Sequence, residues 1–278
     1  MILLMTRDGL QHWAEGPSVS EACWWCGAPA TTAEHRFKAS SLRRAATNDD
    51  GKVVPTNLFK SSERFRGDLR SLRKGAEVRW PPSLCAPCNN DRSQPFDRAL
   101  DQFETFVLTH LEVLGRWRRL TWADVYGPAW EQDAAHLARY FGKQMGCMLA
   151  AYRLPMPDEL IQFLDGSPQC PTINFTLARN WRGIQGHKLM CAAGGDGLET
   201  FFGLLPATRY ETDGATSGLD YGYFLAYIWV RLEWRDSGNF TGWWESPAAP
   251  LPLANGDLGS RWGWWRVMNS YRERPRTP

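Results

Sequence analysis

Two C-x-x-C pairs, Cys23/Cys26 and Cys85/Cys88, carry the strongest chemical signal in the chain. Four thiolates are the set that a tetrahedral structural zinc requires, and small residues beside each pair favour tight knuckles. The pattern predicts a zinc site in a reducing compartment rather than disulfide bridges. The alternative is four reduced thiols in a core. The long stretch between the pairs must hold an inserted functional element.

Residues suited to phosphodiester hydrolysis stand next to these pairs. Glu34 and His35 follow the first pair, Asn89 directly follows the second, and Arg92 comes three residues later. Zinc would draw the knuckles together, so we expect Glu34, His35 and Asn89 in one neighbourhood. An imidazole can deprotonate water, carboxylate and amide oxygens suit magnesium, and a guanidinium can bind a phosphate through two hydrogen bonds. The spacing indicates metal-dependent hydrolysis, with Arg92 holding the phosphate.

Positive charge is concentrated between the two cysteine pairs. The whole chain has a formal net charge of only +2, but residues 36–74 contain eleven basic and four acidic side chains. Such a segment favours a surface that follows the phosphate backbone of a nucleic acid, and the alternative is a solvated basic loop. The candidate backbone contacts are Lys38, Arg43, Lys60 and Arg64.

These motifs together resemble the HNH nucleases, a family with a ββα-metal fold and, in some members, an added structural zinc. The resemblance lies within residues 23–92 and depends on Cys23-Trp-Trp-Cys26-Gly27, Thr32-Ala-Glu34-His35 and Leu84-Cys85-Ala-Pro-Cys88-Asn89-Asn90. It implies that His35 is the general base, that Glu34 and Asn89 hold a catalytic magnesium or manganese ion, and that the four cysteines hold zinc.

The sequence departs from the family pattern at two points. Family members often have histidine where Asn89 stands, so either Asn89 or Asn90 could be the second metal ligand. The family's middle asparagine, which orders the loop near the base, has no clear counterpart, because Asn57 lies too far upstream. The positioning of His35 is therefore the least specified part of the predicted site.

The chain beyond the second cysteine pair changes to helical and then to strand patterns. Apolar residues recur at helical spacing over 95–118 and 131–153. Strand-like segments follow at Ile173–Leu177, Lys188–Ala192, Thr200–Leu204 and Tyr223–Trp234. We predict an α+β protein, with a zinc-stapled ββα-metal nuclease module over 1–94 and, over 95–278, helices followed by a mostly antiparallel sheet.

The function predicted from these patterns is an HNH-type endonuclease acting on DNA. One alternative is a non-catalytic zinc module that binds nucleic acid. Another is the effector of a phage-defence or mobile-element system whose C-terminal part is a sensor. That part could also bind a partner protein or form a homodimer. With no run of 18 apolar residues and only five at the N-terminus, we expect a soluble cytoplasmic protein without a membrane partner.

Overall fold

The protein is described by a computed structural model over residues 2–6, 18–47, 50–54, 58–61, 66–72, 78–181, 183–185, 188, 202–204 and 207–254. It contains both helices and sheets, so the predicted α+β class is confirmed. Arg64, Asn57 and the side chain of Lys60 lie outside the described residues. The predicted strand at Lys188–Ala192 also falls there, apart from its first residue.

A nine-stranded sheet and a two-stranded sheet contain all the strands of the described residues. The large sheet has the order β11-β5-β9-β8-β6-β1-β2-β3, with β7 paired to β8, and the small one pairs β4 with β10. The strands are β1 (Ile2–Thr6), β2 (Leu58–Ser61), β3 (Arg66–Asp68), β4 (Arg119–Thr121), β5 (Ile173–Asn180), β6 (Phe202–Leu204), β7 (Thr208–Thr212), β8 (Ala215–Leu225), β9 (Ile228–Arg235), β10 (Ala248–Pro250) and β11 (Leu253–Ala254).

The C-terminal strands β5 to β9 pair antiparallel with one another, as predicted. Strand β1, by contrast, lies parallel to both β2 and β6. Through β1, the first residues of the chain join the sheet that the C-terminal strands form. The large sheet therefore extends across residue 94, where the sequence predicts a domain boundary.

One predicted strand is in fact a hairpin. The segment Tyr223–Trp234 spans the end of β8, a two-residue turn and most of β9. The turn residues Ala226 and Tyr227 are buried, and Ala226 has a φ of 46°. Because this turn packs inside the protein, it lacks the polar residues and glycine that usually mark a hairpin in a sequence.

The helices include the two that the apolar spacing predicts. They are α1 (Ala39–Ala46), α2 (Gln94–Thr109), α3 (Leu111–Leu114), α4 (Trp122–Tyr126), α5 (Trp130–Ala151) and α6 (Asp158–Leu164), with a π-helical turn at Pro87–Arg92 and a 3-10 turn at Trp243–Glu245. The segment predicted as one helix over 95–118 is divided into α2 and α3, because His110 leaves helical geometry with φ −121°.

Helix α5 occupies the centre of the core. Most of its residues are buried, and it packs on α2, α4 and α6. On the sheet side, the Phe141 ring lies 6.3 Å from Phe175 and 5.7 Å from Tyr223, measured between ring centroids. None of the helices in the described part of the chain combines the length and apolar character that crossing a membrane requires.

Candidate functional site

The four cysteines of the two C-x-x-C pairs meet in one cluster. The Sγ atoms of Cys23, Cys26, Cys85 and Cys88 all lie within 4.8 Å of one another, and those of Cys26 and Cys85 are 3.5 Å apart. Tetrahedral zinc with Zn–S bonds of about 2.3 Å places its sulfurs roughly 3.8 Å apart, so the spacing fits. The prediction of a four-cysteine cluster that could hold a metal such as zinc is confirmed.

Local backbone geometry brings each pair into the cluster. In the first knuckle, the Gly27 amide donates to the Cys23 carbonyl at 2.8 Å, and Gly27 has a φ of +77°. A residue with a side chain would be strained in that left-handed conformation, which explains the glycine. The second knuckle continues into the π-helical turn, where the Asn89 amide donates to the Cys85 carbonyl at 3.0 Å.

A short antiparallel ladder places Glu34 and His35 in front of the cluster. The Trp80 amide donates to the Glu34 carbonyl at 2.8 Å, and the Arg36 amide donates to the Val78 carbonyl at 2.9 Å. Residues 32–36 therefore run beside residues 78–84, which lead directly into the second knuckle. The ladder and the following helical turn position both sides of the candidate site.

An open cavity of about 570 Å³ lies between this ladder, the π-helical turn and the starts of α1 and α2. Glu34, His35 and Asn89, which the sequence predicts to be neighbours, all line it. Its lining also includes two predicted cations, Lys38 and Arg43. Further polar lining residues are Asn90, Arg79, Asp97 and Asp101.

The side-chain oxygen of Asn89 is a buried acceptor with no hydrogen-bond partner among the described residues. Leaving such an atom unpaired costs free energy, so buried polar atoms of this kind are usually satisfied by protein, water or an ion. The neighbouring Asn90 is exposed. Both asparagines line the cavity, and Asn89 is the one whose side-chain oxygen is buried without a hydrogen-bond partner among the described residues.

His35 is held as a neutral imidazole. Burial, together with the positive charge of Arg79, lowers its pKa to about 4. The Nε–H of Arg79 donates to Nε2 of His35 across 3.3 Å. Because Nε2 accepts this bond, it carries the lone pair and the ring proton is on Nδ1.

Glu34 is ion-paired to a lysine from the centre of the core. The ammonium of Lys143, which has no exposed surface, lies 3.3 Å from Glu34 Oε2 and 3.7 Å from Asp97 Oδ1. It also donates to Ser93 Oγ at 3.1 Å. Burial alone would lower the pKa of Lys143, but the two carboxylates outweigh it and the pKa is raised. The lysine is therefore charged, and it fixes the Glu34 carboxylate at the back of the cavity.

The next residue of α5, Gln144, fixes the backbone of the site. Its Nε2 donates to the His35 carbonyl at 2.9 Å, and its Oε1 accepts from Trp80 Nε1 at 2.9 Å. The sequence interpretation missed both Lys143 and Gln144. Their position within the mostly apolar stretch of α5 indicates burial, but nothing in the sequence indicates which groups they contact.

Arg92 lies outside the cavity lining. Its guanidinium stacks over the Trp25 ring at 4.5 Å, donates to Cys88 Sγ at 3.5 Å and pairs with Asp165. The indole Nε1–H of Trp25 donates to the same Asp165 carboxylate at 2.7 Å. These contacts brace the cysteine cluster against the end of α6. A phosphate contact by Arg92 stays a prediction.

The cations predicted to contact nucleic acid differ in their surroundings. Lys38 is mostly buried, pairs with Asp101 at 2.6 Å and donates to the backbone carbonyl of Asp97. Arg43 is exposed on α1 at the rim of the cavity. The charge of Lys38 is therefore largely offset within the protein, whereas Arg43 faces solvent beside the candidate site.

Comparisons of the chain with family models, with curated proteins and with solved structures found no match.

Proposed function

We propose that this protein is a metal-dependent HNH-type endonuclease that hydrolyses phosphodiester bonds in DNA. The observation that carries the proposal is that Glu34, His35 and Asn89 line one cavity, where the side-chain oxygen of Asn89 has no hydrogen-bond partner among the described residues. A neutral base, a carboxylate and a free amide oxygen are the groups that metal-assisted hydrolysis needs in one place.

His35 is the proposed general base. Its neutral imidazole removes a proton from water through Nε2, and the resulting hydroxide oxygen forms a bond to phosphorus. The bond from phosphorus to the 3′ oxygen breaks, and that oxygen takes up a proton from solvent. One diester and one water give a 3′ hydroxyl and a 5′ phosphate. Since a single site cuts a single strand, a double-strand break requires two copies or two visits.

Glu34 and Asn89 are the proposed ligands of magnesium or manganese. When bound, the divalent ion supplies positive charge that stabilises the leaving oxygen. Both ligands offer hard oxygen atoms, which these ions prefer. Burial raises the pKa of Glu34, but the Lys143 ammonium at 3.3 Å acts in the opposite direction and favours the ionised carboxylate that a divalent ion would need.

Zinc on the four cysteines is proposed as a structural ion. The cluster joins the start of the Glu34–His35 segment to the turn that contains Asn89, so it sets the distance between the base and the metal ligands. Arg43, at the exposed rim of the cavity, is proposed to bind the DNA backbone together with Lys60 and Arg64, with an affinity that falls as salt concentration rises.

The test is nicking of supercoiled plasmid in magnesium or manganese. His35→Ala is expected to lose nicking while it keeps one zinc per chain and its affinity for DNA. His110→Ala is the matched control, because His110 lies at the end of α2 and does not line the cavity. Nicking by His35→Ala at the rate of the parent would refute the assignment of the base.

A second candidate is a zinc module that binds nucleic acid without cutting it. Two contacts favour it. Arg79 donates a hydrogen bond to the nitrogen of His35 that would act as the base, and Lys143 forms an ion pair with the carboxylate of Glu34 that would bind the metal ion. This candidate predicts salt-dependent DNA binding by the parent protein and no nicking with either metal ion. The plasmid assay therefore separates the two functions.

A further inference from the structure

We propose that Arg79 is the arginine that binds the scissile phosphate, and that its transfer from His35 to this phosphate exposes the general base. Without substrate, the arginine covers the imidazole; with substrate, the phosphodiester takes over the guanidinium. The inference deepens the proposed nuclease function and rests on it for its kinetic consequences. We call the hydrogen bond from Arg79 to His35 the cap. It can be tested without any nuclease activity.

The cap follows from the position of the two side chains. His35 and Arg79 are opposite each other in the antiparallel ladder, and both line the cavity. A neutral imidazole has one nitrogen with a lone pair, and here that atom is the Nε2 that accepts from Arg79 at 3.3 Å. While this hydrogen bond exists, the ring has no nitrogen that can take a proton from water. The base works only after Arg79 has moved.

Arg79 is the cavity arginine in contact with the proposed base, whereas Arg43 lies at the exposed rim of the cavity. Lys38 is paired with Asp101, and Arg92 is paired with Asp165 outside the lining. Within the part of the chain that the structure describes, Arg79 has no carboxylate within ion-pairing distance, and its one side-chain hydrogen bond uses Nε. The Nη donors remain available, and a guanidinium binds two phosphate oxygens at once.

The exchange of partners is favourable because the two acceptors differ in charge. The imidazole is neutral, whereas a phosphodiester is an anion, so on changing partner the guanidinium gains an opposite charge and can form two parallel hydrogen bonds instead of one. The cavity, at about 570 Å³, is large enough to admit a phosphodiester group. A substrate phosphate thus provides both the anion that attracts Arg79 and the atom that the water attacks.

Kinetics test the phosphate contact. Arg79→Gln is expected to raise KM for plasmid nicking and to lower kcat, giving a loss of kcat/KM of roughly ten- to a hundredfold for one charge-assisted contact. Arg79→Lys should raise KM less, since an ammonium still attracts phosphate. Arg116→Gln is the control, because this arginine is exposed and lies outside the cavity. Parent-like kcat and KM in Arg79→Gln would overturn the proposal.

Acylation of histidines by diethyl pyrocarbonate, mapped by mass spectrometry without DNA or divalent metal, tests the cap. The reagent attacks an unprotonated ring nitrogen, so His35 should react several-fold faster in Arg79→Ala than in the parent, with His110 as internal reference. Dimethyl phosphate, the smallest phosphodiester, should accelerate the acylation of His35 in the parent, compared with sodium chloride at equal ionic strength. It should have no such effect in Arg79→Ala.

These outcomes separate the cap from the nuclease function. If the parent never nicks DNA but the acylation rates of His35 follow the prediction, the nuclease assignment fails and the cap stands. If nicking requires His35 but His35 is acylated at the same rate in Arg79→Ala as in the parent, the nuclease assignment stands and the cap is refuted. If Arg79→Ala does not fold, the experiment on the parent protein is sufficient. The proposal is overturned if dimethyl phosphate does not change the rate at which His35 of the parent is acylated.

Discussion

Replacing Lys143 with methionine should destabilise the protein more than the loss of packing can explain. The lysine has no exposed surface, and its ammonium lies 3.3 Å from Glu34 and 3.7 Å from Asp97. Methionine has a similar length but no charge, so Lys143→Met leaves two carboxylates facing each other without their shared cation. Removing one partner of a buried ion pair typically costs about 3–5 kcal/mol.

The loss in stability is measurable by thermal or urea denaturation. For a chain of this size, each kcal/mol corresponds to roughly 2 °C in Tm, so we expect a decrease of about 6–10 °C. Lys188→Met is the control, because Lys188 is exposed and a surface substitution of this kind changes stability by about 0.5 kcal/mol or less. Zinc content should stay at one per chain in both variants.

A double-mutant cycle tests the electrostatic reason. If the cost comes from the unpaired carboxylate, then Glu34→Gln should recover part of the stability that Lys143→Met loses, since it removes the orphaned charge. The two substitutions should therefore be non-additive by about 1–3 kcal/mol. Additive effects, with the double variant as unstable as the sum of the single ones, would refute the charge argument and leave a packing defect as the cause.

Three further predictions concern other parts of the same core. Gly146→Ala should lower stability by about 1–3 kcal/mol in denaturation experiments, because a Cβ there would lie 2.4 Å from the Trp24 ring. Burial raises the pKa of Glu104, so the parent loses stability as pH rises through that raised pKa. Glu104→Gln should therefore raise Tm at pH 8 more than at pH 5, and an equal change at both would contradict this reasoning. Cys26→Ser should lower bound zinc, measured by elemental analysis, and lower Tm with it, whereas Cys147→Ser, outside the cluster, should retain the metal.

The parts of the site that the sequence could predict are those that local chain geometry determines. The cysteine cluster follows from two tight knuckles, and Asn89 follows its knuckle by a single residue. Glu34 and His35 are carried to the same place by a short ladder that starts near the first knuckle. Spacing along the chain is enough to predict such contacts, because few residues separate each group from its knuckle.

The remaining contacts could not be predicted because they are distant in sequence and unusual in chemistry. Lys143 lies more than one hundred residues after Glu34, and a lysine in a helix is ordinarily placed at the surface. Arg79 faces His35 only because the register of the ladder pairs them. Strand β1 likewise depends on partners far along the chain, since it pairs with β2 and β6.

Helix α5, which lies outside residues 1–94, also contributes to the candidate site. Within two turns, this helix supplies Lys143 to Glu34 and Gln144 to the His35 backbone, and its Gly146 leaves room for the Trp24 ring of the first knuckle. On its opposite side, it packs against the sheet. A change in how the sheet supports α5 would thus move the carboxylate and the imidazole together.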